Sequence, residues 1–329
     1  MNSEALSVRA RRPHRALVTA TLALPLLAVT ACGAGTDSTA PGGSSGPPKA
    51  TAGSATPGGT SATPAPSASA TPTTPGAGVP TPSASGGTGS AAKQVRTAVY
   101  FLHGEQVSSA PRTVTAPATA TAAVRALLNG PSRFEQNRSR TTAIPSGTKL
   151  RSLTVRNHVA TVDLSGRYDD GGGSLSMRAR LAQVVFTTTR FATIHSVRFE
   201  LDGKPVKHFG GEGIVLSGPV GRADFEDLAP AVLVESPLIG DTVRTPVRVW
   251  GSANTFEAVF RLKVTDTTGH TAADVRVTAT SGTGTRGTFD VTFPYKPVRT
   301  GPGLLTAYYL SPRDGRAVTV DTVPLYLNR

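Results

Sequence analysis

One stretch limits where this chain can fold. From Gly33 to Ala92 it is almost wholly Gly, Ser, Thr, Ala and Pro, with Asp37 and Lys49 as its only charges. Such a segment buries too little apolar surface to offset chain entropy, so no core is expected from it. As a random coil its ends would lie on the order of 40 Å apart. It therefore reads as a disordered tether over 32–94, and any folded structure is expected after it. Before it stand a basic start (Arg9, Arg11, Arg12, Arg15) and an apolar run from Ala16 to Ala28. That run is short of the roughly 20 residues that span a bilayer as a helix, and the layout is that of a secretory signal over 1–31.

The signal ends in Val29-Thr30-Ala31-Cys32, and Cys32 is the only cysteine among 329 residues. A lone exported cysteine has no partner for an internal disulfide. Small residues directly before a cysteine resemble the lipobox of bacterial lipoproteins. The resemblance implies a diacylglyceryl group on the Cys32 thiol, cleavage just before it, and anchoring on the extracytoplasmic face of the cell membrane. Two acyl chains lie in the regime of stable anchoring, whereas one chain binds marginally. Val29 departs from the usual Leu of that motif. Arg11-Arg12 hints at twin-arginine export, although Pro13 and His14 follow where that signal has apolar residues.

Charge divides the remainder. Lys93–Gly210 holds 17 Lys/Arg against 7 Asp/Glu, and Gly211–Arg329 holds 12 against 12. Basic surface outside a membrane favours anionic phospholipid, an anionic cell-wall polymer or an acidic envelope protein as partner, and nucleic acid is not expected there. The simpler reading is that scattered arginines keep the surface soluble.

In the first half, Arg96–Leu102 reads as a strand and Ala118–Leu128 as a helix stopped by Asn129-Gly130-Pro131. Leu150–Arg156 and Val159–Leu164 read as a hairpin about Asn157-His158. Ser174 is a candidate cap for a second helix through Thr188, and His195–Leu201 is a further strand closed by Asp202-Gly203. This predicts an α+β unit, a small sheet with two helices on one face. VYFLHGEQV, ALLNGPS, TAIPSGTKLRSLTVRNHVATVDLS, RLAQVVFTTTRF and VRFELDGKPV resemble, in content and order, the GerMN domain of bacterial sporulation and germination proteins over 95–206. His158 stands where that hairpin more often has Gly. The resemblance implies an interaction module with no catalytic residues to carry over.

After a connector over 207–228 the hydrophobic period becomes two. Phe256, Ala258, Phe260, Leu262 and Val264 alternate with more polar residues, as do Val275, Val277 and Ala279, and Phe289, Val291 and Phe293. Seven short runs separated by turn signals predict an all-β immunoglobulin-like sandwich over 229–329. Trp250 is expected in its core, with a surface anchor as the alternative. VESPLIGDTVRTPVRVWGSANTFEAVFRLKVTDTTG, ATSGTGTRGTFDVTFPY and YYLSPRDGRAVTVDTVPLYL resemble the immunoglobulin-like domain of spore-germination proteins.

Several motifs are declined. Gly42–Gly46 fits the G-x-S-x-G pattern but lies in the tether, without strand or helix. Gly282–Gly287 fits G-x-G-x-x-G but precedes a predicted strand rather than a helix. None of the six histidines forms an HxxxH or HxH pair, and Asp169-Asp170 lacks the spacing of a calcium loop. Asp163 is expected to cap a turn, or else to belong to a cleft. No cofactor, metal or catalytic residue is expected. The sequence thus reads as a non-catalytic envelope lipoprotein of the sporulation, germination or envelope-assembly kind that binds a protein or the wall. The alternative is a ligand-sensing accessory to a membrane receptor or sensor kinase.

Overall fold

The computed structural model describes residues 93–211 and 213–329. The signal, Cys32, the tether as far as Ala92, His14 and the Gly42–Gly46 motif lie outside the described residues, and Gln94, counted with the tether, already begins the first strand. The first half opens with β1 (Gln94–His103) and β2 (Gln106–Thr115), an antiparallel hairpin in full register from Gln94↔Thr115 to His103↔Gln106. The turn between them uses Gly104 at φ +63°, a left-handed conformation that glycine adopts without a Cβ penalty. α1 (Thr119–Leu128) and α2 (Arg133–Gln136) follow, and β3 (Arg140–Thr141) pairs with the end of β1.

A second sheet has the order β4 (Leu150–Arg156), β5 (Val159–Leu164), β6 (Ser196–Leu201), β7 (Lys204–Pro205). β5 and β6 run parallel. Parallel neighbours need a crossover, and here it contains α3 (Ser174–Thr188), which buries eleven of its fifteen residues and so lies inside the unit rather than on its surface. β8 (His208–Phe209) and β9 (Ile214–Val215) form a small ribbon. Phe209, Leu216, Phe225 and Leu228 tuck this stretch into the first core.

The strands and helices expected from the sequence are present, with two corrections. β2 went unpredicted. Its Ser108, Ser109 and Pro111 hide the strand pattern, and Pro111 is tolerated because β2 is the edge of its sheet. Ser174 is not the cap of α3: Gly173 holds that position and Ser174 begins the helix. The hairpin turn at Asn157-His158 has both residues at positive φ, +48° and +61°. That is the left-handed pair a two-residue hairpin loop requires.

The second half is a sandwich. One sheet has β10 (Val232–Ser236), β12 (Val247–Ala253) and β15 (Gly287–Phe293) in that order. The other has β11 (Thr242–Val243), β17 (Ala317–Leu327), β16 (Gly301–Leu310), β13 (Val259–Asp266) and β14 (Thr271–Thr278). Phe260, Leu262 and Val264 face inward as expected, and Phe260 meets Phe289 edge-on with ring centroids 4.8 Å apart. Phe256 does not. It sits in a 3-10 turn (Phe256–Ala258) ahead of β13, with 56% of its surface exposed.

Trp250 is not a core residue either. Val249 points into the sandwich, so its neighbour Trp250 faces the other way, half-buried beneath the guanidinium of Arg190 from the first half, 4.4 Å from its ring centroid. The two halves share a strand. Val232 and Val234 of β10 belong to the sandwich core, while Leu233 between them packs in the core of the first half, as do Leu238 and Ile239.

Candidate interaction site

The period-two alternation of β10 also delivers Glu235 to the first half, where it meets the most polar part of the seam. Tyr100, fully buried on β1, donates its hydroxyl to Glu235. Arg222 donates to the same carboxylate oxygen at 2.8 Å, to Thr189 Oγ1 at 2.9 Å and to the Phe186 carbonyl at 3.3 Å. Burial, and then the Glu235 charge, push the Tyr100 hydroxyl well above its ordinary pKa. Burial works against the Arg222 cation, yet the Tyr100 and Glu235 oxygens outweigh it and its pKa is raised. Tyr100 and Arg222 hold their protons across the physiological range. The trio is a structural lock rather than an acid-base centre.

A second polar contact lies nearby. Asp321 of β17 is buried and accepts from the backbone N–H groups of Val234 at 3.1 Å and Thr322 at 2.8 Å. Burial raises its carboxyl to about 6, opposed in part by those hydrogen bonds and by the Arg140 charge. Arg140, also buried, donates to the Thr322 carbonyl at 2.9 Å. Ser109 donates to the Val234 carbonyl at 2.9 Å, and Arg96 pairs with Asp241. The seam is continuous with both cores through β10, although the Nε atoms of Arg140 and Arg190 are buried in it without a hydrogen-bond partner.

The basic residues of the first half divide into two groups. Arg112 forks onto Glu135, which also completes the capping box of α2 with Ser132. Arg180 donates to the carbonyls of Ala143, Tyr168, Asp170 and Gly171, closing the loop that carries Asp169-Asp170. Asp169 in turn accepts from Gly210 N at 2.7 Å, so this loop is held by protein groups. By contrast Arg125, Lys149, Arg156, Arg198, Lys204 and Lys207 are exposed and form no ion pair among the described residues. Arg156, Arg198 and Lys204 all lie on the second sheet, on β4, β6 and β7.

The other sequence candidates resolve as follows. Asp163 caps a turn, accepting from Gly203 N at 3.0 Å, and lies 3.4 Å from Arg151. Gly282–Gly287 is a loop ahead of β15. A Cβ on Gly282 would fall 2.5 Å from the Thr255 carbonyl and on Gly287 2.3 Å from Ser281 N, so close backbone packing accounts for both glycines. Sequence spacing missed one pairing: His158 and His195 stack with centroids 4.4 Å apart, brought together because the β4–β5 turn meets the start of β6. No group of three or more His, Cys, Asp or Glu able to hold a metal occurs among the described residues. No helix among them is long and apolar enough to cross a membrane.

A family described as sporulation and spore germination (Germane) matches residues 98–207, and the immunoglobulin-like domain of bacterial spore germination (Gmad2) matches 231–316. The chain carries a GerMN-like domain followed by a germination-type immunoglobulin-like domain. Similar solved structures include a protein described as a lipoprotein from Clostridium perfringens, 21% identical, covering 41% of this chain and 93% of that one, with a TM-score of 0.31. The tandem GerMN domains of the sporulation protein GerM from Bacillus subtilis are 13% identical, cover 61% of this chain and 62% of that one, and give a TM-score of 0.34. The first GerMN domain of the same protein is 17% identical, covers 39% and 98%, and gives 0.32. These low TM-scores leave the fold to rest on the strand pairing and the two family matches. No curated protein matches the chain. The seam therefore joins the GerMN-like domain to the immunoglobulin-like one.

Proposed function

We propose that the protein is a non-catalytic envelope lipoprotein, held on the outer face of the cell membrane by lipid on Cys32. Its GerMN-like domain (95–206) and immunoglobulin-like domain (229–329) form one rigid binding platform at the end of the 32–94 tether. The observation that carries this reading is the pairing of two germination-type domains across a seam in which β10 contributes to both cores. The lipobox-like Val29–Cys32 and the tract after it support the anchoring. The exposed cations of the GerMN-like domain suit an acidic envelope protein or an anionic wall polymer. A second reading, a ligand-sensing accessory to a membrane receptor or sensor kinase, draws on the pocket that Phe256, Arg276 and Leu310 line on the sandwich.

The test is crosslinking in intact cells followed by fractionation. Wild type is expected in the membrane fraction with a crosslinked envelope partner, and Cys32→Ala is expected to be released with both domains folded. Retention of Cys32→Ala wholly with membranes would overturn the anchor. Robust hydrolysis of purified wall material by the protein would overturn the non-catalytic role.

A further inference from the structure

The sandwich carries a partly enclosed pocket of about 350 Å³ between the Phe256–Ala258 turn and the strands β13, β14 and β16. Two large apolar side chains stand open beside it, Phe256 and Leu310, each 56% exposed. Tyr309 and Val259 line it further. The turn that presents Phe256 is held in an unusual backbone: Glu257 and Ala258 are both left-handed, at φ +55° and +59°. It persists because the next loop grips it. Thr283 Oγ1 accepts from Glu257 N at 3.0 Å, Thr283 N donates to the Thr255 carbonyl at 2.9 Å, and Ala279 N donates to the Ala258 carbonyl at 2.9 Å.

Charge at the pocket is unbalanced. Arg261 and Arg276 lie directly opposite each other on β13 and β14. Like charges in that relation repel. Asp274 neutralises only Arg261, at 2.9 Å, with Tyr308 accepting from the same Nε. Arg276 is exposed and has no ion-pair partner among the described residues. Glu257 stands at the rim as the one acid lining the pocket. An anion seated beside Arg276 would relieve the repulsion, and an apolar group next to it would cover Phe256 and Leu310.

We infer that this pocket binds a segment of a partner protein in which a large apolar side chain is followed at once by a carboxylate. A protein segment fits better than a lipid on two counts. The pocket is near the lower end of the range for small-ligand sites, room for a side chain or two rather than paired acyl chains. It also borders β14, the edge strand of its sheet, along which an extended chain can lie. The inference deepens the reading of the protein as a binding platform and rests on it, yet the two fail separately: crosslinking in cells can recover a partner held by the GerMN-like domain while this pocket stays empty.

The experiment is a titration of the isotope-labelled Cys32→Ala chain with short synthetic peptides in which Leu, Phe or Trp precedes Glu, and with their Gln counterparts. Saturable shifts are expected at Phe256, Arg276 and Leu310 with at least one acidic peptide, with Kd below about 1 mM. Replacing Glu by Gln in the peptide, or Arg276→Gln in the protein, is expected to weaken binding about tenfold, as loss of a charge-assisted hydrogen bond does. Phe256→Ser should abolish it, and Leu310→Thr serves the same purpose if the turn does not tolerate serine. Absence of saturable shifts with every acidic peptide, or equal binding of the Gln peptides, would overturn the inference. So would the same resonances responding instead to phosphatidylglycerol vesicles or to self-association on concentration.

Discussion

Replacing Asp321 by Asn isolates one buried charge at the seam. With its carboxyl raised from 3.8 to about 6, the ionised form costs about 3 kcal/mol at neutral pH relative to an ordinary aspartate. The sign follows from proton counting. Between about pH 4 and about pH 6 the folded chain keeps the Asp321 proton and the unfolded chain has lost it, so stability falls as pH rises, by up to about 1.4 kcal/mol per pH unit. Asn removes that dependence. It also changes the hydrogen bonding, because the two carboxylate oxygens accept separately from Val234 N and Thr322 N, and an amide offers only one acceptor oxygen. One buried N–H is then left unpaired, at about 1–3 kcal/mol. At neutral pH these effects offset each other, so a single stability value decides nothing. The measurement is urea unfolding of both proteins across this pH range, read as wild type minus variant. A difference that changes by about 3 kcal/mol from pH 4 to pH 7 is expected. Parallel curves would refute the claim that Asp321 is protonated in the folded state at mildly acidic pH.

Two further outcomes follow from packing. Gly251→Ala places a Cβ 2.0 Å from the Leu233 carbonyl on the neighbouring strand, and a clash with backbone has no side chain to yield. A loss of at least about 3 kcal/mol is expected in chemical denaturation, and a wild-type midpoint would contradict the shared-strand geometry. Arg180→Leu strips four carbonyls of their donor, which should cost about 3–5 kcal/mol and raise hydrogen exchange first around Asp169–Gly173. Uniform loss of protection over the whole GerMN-like domain, with none specific to that loop, would argue against a local clamp.

Much of the architecture was legible because it is local. The 3.6 and 2.0 periodicities of α3 and β13 are written in consecutive residues, and so are the Asn157-His158 and Asp202-Gly203 turns. What stayed hidden depends on distant partners. β2 reads as a loop because Ser108 and Ser109 are polar, yet both are buried against neighbours that the sequence does not place beside them. Phe256 fits the alternation of β13, and only the grip of Thr283 on the preceding turn breaks that phase. Trp250 follows Val249 on a strand with two buried faces, so a large apolar residue had two possible destinations, and Arg190 covers the second. The lock joins Tyr100, Arg222 and Glu235, the first more than a hundred residues from the others, and no motif scan links them. The pairing of His158 with His195 has the same origin.

The strand β10 has a consequence for how such proteins diversify. Its alternate side chains belong to different cores, so a genetic crossover placed at the apparent domain border, just ahead of Val232, does not exchange a self-contained cassette. An incoming immunoglobulin-like domain must bring its own equivalents of Leu233, Glu235 and Leu238 in shapes that the resident GerMN-like domain already accepts. Lineages carrying this arrangement should therefore inherit the two domains as a pair, with substitutions on one side of β10 answered by substitutions on the other.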